Sequence, residues 1–180
     1  MQPLLGRRQF LGAAAAFAAG VTRPALASAA PRLLSLDNLH TGEKLRAEYW
    51  AGGAYRPDAL EAINKVLRDF RTGEVHPIDL RLLDLLSQLH DQMETGAPFQ
   101  VISGYRSPAT NAGLRQAGHS GVASQSLHMQ GIAIDVRIQG KPLAGLHRAA
   151  LDLRGGGVGY YPSSNFVHVD IGRIRRWSGA

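Results

Sequence analysis

Hydrophobic residues recur in two periods along the chain, and the change from one to the other marks out its elements. Leu33-Leu34-Ser35-Leu36 and the alternating run from Lys44 to Tyr49 predict two short strands around a His40-Thr41-Gly42-Glu43 turn. Gly52-Gly53 reads as a linker. Pro57 then suits a first helical turn, and Leu60, Ile63, Leu67 and Phe70 follow at helical spacing. Leu82, Leu85, Leu86, Leu89 and Met93 form the stripe of a second helix, from about Pro77 to Glu94, that stops before Gly96. Phe99 to Ser103 predicts a strand. Ser107 is an N-cap followed by a first-turn proline, which opens a short helix to about Ala117. In Ile132 to Ile138 the isoleucines and Val136 share one face, and Ala133, Asp135 and Arg137 the other. A helix from about Lys141 to Leu153 is broken by Gly155-Gly156-Gly157, and Phe166 to Ile171 is the last strong strand. Helices early and strands late predict one α+β domain, with helices packed on one face of a sheet.

The N-terminus breaks this pattern. Gly6-Arg7-Arg8-Gln9-Phe10-Leu11 precedes an apolar stretch from Ala13 to Val21 and then Ala25-Leu26-Ala27. A basic start, a short apolar core and small residues define a secretory signal, and adjacent arginines before Phe-Leu resemble a twin-arginine leader. Residues 1–27 are therefore expected to be a leader and 28–180 the folded domain, exported to the periplasm. The apolar stretch is far shorter than the ~20 residues that span a bilayer, so no membrane span is expected once the leader is gone.

Composition narrows the chemistry. The chain holds no cysteine, which removes disulfides, thiolate metal sites and a lipid anchor on cysteine. Any metal must sit on His, Asp or Glu, a donor set that suits zinc. Removing the three leader arginines brings the net charge of +6 down to +3. That suits an anionic polymer, and with no basic stripe interleaved with aromatics nucleic acid is not the expected partner.

Three segments carry candidate chemistry. In Ser126-Leu127-His128-Met129-Gln130-Gly131-Ile132-Ala133-Ile134-Asp135 a histidine just before a strand is seven residues from an aspartate within it. Gly131 permits the close approach that folds the loop back, and Asp135, opposite the isoleucines, must be solvated, paired or metal-bound. In Phe166-Val167-His168-Val169-Asp170-Ile171, alternation puts His168 and Asp170 on one face. If the two strands are neighbours, two imidazoles and one carboxylate meet and leave a coordination position open, as in a catalytic zinc site. In Ile102-Ser103-Gly104-Tyr105-Arg106-Ser107 a strand ends and presents Arg106, which either grips a substrate carboxylate or stabilises an oxyanion.

The ordered set S-G-Y-R-S, S-x-H-x-x-G-x-A-x-D and V-H-V-D resembles the LAS superfamily of zinc peptidases, which includes D-Ala-D-Ala carboxypeptidases. Within it the chain is most similar to the YcbK-like branch of murein endopeptidases, which shares the twin-arginine-like start, the S-P-A-T-N run at Ser107 to Asn111 and the V-G-Y-Y-P before the last histidine. The resemblance implies a hedgehog-like antiparallel sheet with helices on one face and a zinc site on the other. It implies Zn2+ on His128, Asp135 and His168, the family arginine at Arg106, and hydrolysis of cross-links between peptidoglycan stem peptides by a monomer. A carboxypeptidase that trims D-Ala from stem peptides is the rival activity, and a non-catalytic wall-binding module the rival class. Many members of the superfamily carry an acidic or histidine base three residues before the final ligand; here that position is Asn165. Asp170 is then the first candidate base, the alternative being a carboxylate that orients His168.

Ser126 and Gln130 flank His128 and are expected to bind substrate. Ser126 has no neighbouring Asp/His relay, which argues against a serine nucleophile. Tyr160 and Tyr161 either wall the cleft or are half-buried sheet tyrosines. His40, His76, His90, His119 and His147 are expected at the surface or in packing, with His119 in a loop able to fold over the site.

Overall fold

The structure is a computed structural model that describes residues 30–118 and 122–179. The leader expected over 1–27 and His119 both lie outside the described residues.

Eight strands form one sheet: β1 (Arg32–Asn38), β2 (Lys44–Ala51), β3 (Ala54–Tyr55), β4 (Phe99–Ser103), β5 (Ala133–Ile138), β6 (Gly157–Tyr161), β7 (Phe166–Asp170) and β8 (Arg175–Ser178). The order across the sheet is β3-β2-β1-β4-β5-β7-β6-β8. The α+β class holds, but the sheet is mixed. β1 runs parallel to β4 and β6 parallel to β8, and the remaining pairs are antiparallel. The parallel pairs arise because neither pair is joined by a hairpin: β2, β3 and two helices lie between β1 and β4, and the antiparallel β7 lies between β6 and β8 in the chain.

Among the described residues, three of the four helices, α1 (Pro57–Val66), α2 (Leu80–Gln92) and α4 (Leu143–Leu153), pack against the sheet. Leu34, Leu36, Tyr49, Ile63, Leu82, Leu86, Leu89, Ile134 and Leu146 are fully buried in this layer. Strand alternation then turns Asp135 and its neighbours to the opposite face. No helix among the described residues is long and apolar enough to cross a membrane.

The helix expected to reach Phe70 stops at Val66. Asp69 ends it: its Oδ1 accepts from the backbone N–H of Arg71 and Thr72, a local turn that competes with the helical ladder. α2 begins three residues after Pro77, where the Asp79 side chain caps the Arg81 N–H. α3 (Pro108–Gln116) is capped by the Ser107 hydroxyl, which accepts from the Thr110 N–H, as its sequence predicts. Gly52-Gly53, read as a linker, is the turn of a tight β2–β3 hairpin. β3, β6 and β8 carried too little apolar alternation to be foreseen as strands.

Candidate metal centre and active site

The sheet register assembles the site. Ser103 on β4 pairs with Asp135 on β5, Asp135 with His168 on β7, His168 with Gly159 on β6, and Gly159 with Trp177 on β8. One row of residues thus crosses five strands on the face away from the helices. Gly159 is the gap in that row. A Cβ there would lie 2.6 Å from the Trp177 ring, so only glycine lets the indole lie flat over β6 and approach the His168 ring, 5.2 Å between centroids.

His128 enters this row from a 3-10 turn, Leu127–Gln130, closed by Gly131 in the left-handed conformation at φ 67°. Gly131 also packs against the Pro77 carbonyl with no room for a side chain. The Arg106 N–H donates to the His128 carbonyl at 3.2 Å, which pins the turn to the end of β4.

Three donor atoms converge. His168 Nδ1 lies 2.8 Å from Asp135 Oδ1, His128 Nε2 lies 3.3 Å from the same oxygen, and the two ring nitrogens are 3.2 Å apart. All three residues are buried and form the one His/Asp cluster among the described residues able to hold a metal ion. The outer nitrogens decide what the inner ones offer. His128 Nδ1 sits 2.8 Å from the Gly104 carbonyl, an acceptor, so Nδ1 carries the proton and Nε2 presents its lone pair. His168 Nε2 donates to Asp170 Oδ2 at 3.1 Å, so Nδ1 presents its lone pair. Two lone pairs and a carboxylate oxygen aimed at one point fit a cation.

The electrostatics agree. Burial alone would raise the Asp135 carboxyl, but the two imidazoles outweigh it and hold it far below the usual carboxylate range. Burial would lower His168, but Asp135 and Asp170 outweigh it and raise the ring to about 9. In a cation-free chain, protons and metal therefore compete for the same nitrogen.

Asp170 is not placed to be the base. It is 0% exposed, and every lone pair is engaged. Oδ1 accepts from Gly157 N–H, Gly172 N–H and Arg175 Nη1, and Oδ2 accepts from Arg175 Nη2 at 2.7 Å and from His168. Against its burial, these donors hold its carboxyl below the usual range. Its side chain stands behind His168 rather than in the cleft, the orienting alternative of the two.

The cleft over the triad is a cavity of about 330 Å3 lined by Arg106, Gln125, Ser126, Tyr161, Phe166, Arg175 and Trp177 as well as the ligand candidates. Tyr161 stacks on Phe166 at 4.5 Å, and its hydroxyl accepts from Trp177 Nε1–H at 2.8 Å. Because an indole nitrogen only donates, the phenol keeps its own proton for the cleft. Arg106 is only 14% exposed; Nη2 donates to Ser103 Oγ at 3.2 Å and stands 3.7 Å from Asp135 Oδ2. Among the described residues its buried Nε has no partner.

Residues 26–177 match the family model described as peptidoglycan L,D-endopeptidase MepK. The chain belongs to the MepK family. The peptidoglycan L,D-endopeptidase MepK of Escherichia coli strain K12 is 46% identical over 170 residues, 93% of each chain. The probable peptidoglycan L,D-endopeptidase MepK of Haemophilus influenzae is 43% identical over 150 residues, 83% of this chain and 80% of that protein. The likeness carried by the three motifs is thus borne out, and the MepK family is one of peptidoglycan-cleaving peptidases.

Within this MepK-family chain the other expected residues divide. Ser126 is buried and lines the cavity; Gln130 does not. The 3-10 turn carries Gln130 to its exposed far end, and Gln125 takes the place expected of it. Asn165 is also outside the cleft. It sits exposed at φ 54° in the turn between β6 and β7, where asparagine tolerates the left-handed conformation. Four of the remaining histidines pack on aromatic rings: His40 on Phe70, His76 on Tyr105, His90 on Phe99 and His147 on Tyr160. Arg175 and Trp177 line the cleft although no motif singles them out. Their signal was the Gly157-x-Gly159 alternation, which clears one strip of β6 for two large side chains spaced two apart.

Proposed function

We propose that this chain hydrolyses L,D cross-links between peptidoglycan stem peptides, using zinc held by His128, Asp135 and His168. Zinc on two neutral imidazoles and one carboxylate is a Lewis acid that brings a water toward a neutral pKa and polarises an amide carbonyl. The observation that carries the proposal is the pair of outer hydrogen bonds, donated by His128 to the Gly104 carbonyl and by His168 to Asp170, which leave both inner nitrogens beside Asp135 Oδ1 to offer their lone pairs to one cation.

The chain's own groups then have separate tasks. Asp170, clamped by Arg175, holds the His168 ring in its tautomer. Tyr161 donates its hydroxyl proton in a hydrogen bond to the carbonyl oxygen as negative charge gathers there. Arg106 presents its guanidinium to a carboxylate of the stem peptide. Trp177 and Phe166 wall the cleft and exclude water.

Cross-link cleavage is favoured over trimming of a terminal D-Ala by the cleft's length. The cavity over the triad continues into a groove of about 780 Å3 that shares Arg106, Asp135, Tyr161, Phe166 and Trp177 with it. A single terminal residue needs no such trough. The Asn165 that left room for a non-catalytic module is explained by its turn. We propose further that residues 1–27 direct export to the periplasm and that the domain acts there as a monomer.

The test is zinc stoichiometry and hydrolysis in His128→Ala, Asp135→Ala and His168→Ala. Each is expected to lose tightly bound zinc and activity together. Zinc and turnover retained in any two of them would refute the assignment.

A further inference from the structure

α3 borders the cleft, and the residues of its S-P-A-T-N start have separate partners. Ser107 caps the helix with its hydroxyl and donates its N–H to Asp69, and the Thr110 hydroxyl binds the same carboxylate. Asn111, only 3% exposed, reaches out of the helix instead. Its Nδ2 donates to the Ala123 carbonyl at 3.0 Å.

Ala123 opens a wall of the cleft. Ala123, Gln125 and Ser126 all line the cavity over the triad, and the wall ends at His128. Its far end is pinned by the Arg106 N–H on the His128 carbonyl. Its near end is pinned by Asn111. Both clamps thus come from one short stretch, residues 106–111. Among the described residues the Asn111 bond is the one hydrogen bond that ties residues 123–125 to the domain.

That bond does little for the stability of the fold. A carbonyl only accepts, so the amide nitrogen must face Ala123 and Oδ1 must face away. Oδ1 is buried, and among the described residues it has no partner. A buried unpaired oxygen costs the folded state free energy, and an apolar side chain of the same shape would remove that cost. Ala123 is exposed, where water satisfies a carbonyl that loses its partner. The amide works against the fold and for the placement of the wall.

We propose that Asn111 is a positioning residue for substrate binding: it fixes residues 123–126 so that Gln125 and Ser126 stand ready to meet the stem-peptide backbone. A wall held in its bound form beforehand loses less entropy when the substrate arrives. This rests on the peptidase reading above and adds to it a buried residue outside the cleft that sets KM rather than kcat.

Asn111→Leu in the zinc-loaded protein separates position from stability. KM for an L,D cross-linked dimer is expected to rise about fivefold, the value of one neutral hydrogen bond, with kcat within twofold and zinc content unaltered. Calorimetry with a stem tripeptide should show the same weakening. Amide hydrogen exchange should quicken at residues 122–126 and stay as it was in the sheet, while Tm does not fall. Unchanged KM and tripeptide affinity beside faster exchange at 122–126 would overturn the proposal. A variant that loses zinc, melts earlier or fails to fold would overturn it too, because Asn111 would then serve the fold. Absence of dimer cleavage by the unaltered protein would instead strike the peptidase reading, while tripeptide affinity and exchange still decide the role of Asn111.

Discussion

Single side chains behind the triad carry as much of the account as the triad itself. Asp170 accepts five hydrogen bonds and exposes no surface. Asp170→Asn is therefore expected to lower zinc affinity by about 10- to 100-fold, as loss of an orienting carboxylate does. At saturating zinc, kcat should fall only a few-fold. A base would behave the other way, with zinc retained and kcat lost, so metal titration beside turnover separates the roles. Tyr161 gives the opposite signature. Its phenol faces the cleft with its oxygen satisfied by Trp177. Tyr161→Phe should lower kcat by roughly 10- to 100-fold with KM and zinc content within twofold, the pattern of a donor used only in the transition state.

Elements place these side chains through register, and register was the part hardest to foresee. The Ile132 and Phe166 strands announced themselves by strict alternation, so Asp135, His168 and their shared face were legible. That they pair residue to residue was not, because nothing in a single strand names its neighbour. β6 was hidden by its glycines, whose missing side chains are the reason it works. β8 was hidden by its arginines, whose charges are neutralised by Asp170 and by solvent. Gln130 lies away from the cleft because Leu127 to Gln130 form a 3-10 turn, an element too short for any periodicity to announce its phase. The β6–β8 fit is directly testable. Gly159→Val puts a branched side chain where the Trp177 ring lies, and overpacking of this kind is expected to destabilise the fold by about 1–3 kcal/mol. Thermal unfolding gives the loss, and Trp177 emission should shift with the displaced indole.

On the scale of the whole molecule, one buried carboxylate ties the helical layer to the catalytic face. Asp69 closes the turn after α1 and accepts from the Ser107 N–H at the head of α3. Against its burial, hydroxyl and backbone donors at Ser107 and Thr110 lower its pKa from the ordinary 3.8 to about 2. A depressed carboxylate stabilises the fold above its unfolded pKa and loses that contribution as pH falls through the folded one. The stability difference between the unaltered protein and Asp69→Asn should therefore be constant above pH ~5 and shrink as pH drops toward ~2. Denaturant melts across that range measure it, and a difference that grows on acidification would reverse the assignment.

The central claim is that this chain cuts stem-peptide cross-links with a metal on His128, Asp135 and His168. Its most direct test is mass spectrometry of a defined muropeptide mixture after incubation with the zinc-loaded protein, with and without a chelator. L,D cross-linked dimers are expected to become monomers, and the chelator to stop the conversion. Dimers left intact by a protein with zinc bound at those three residues, or cleavage untouched by the chelator, would contradict it.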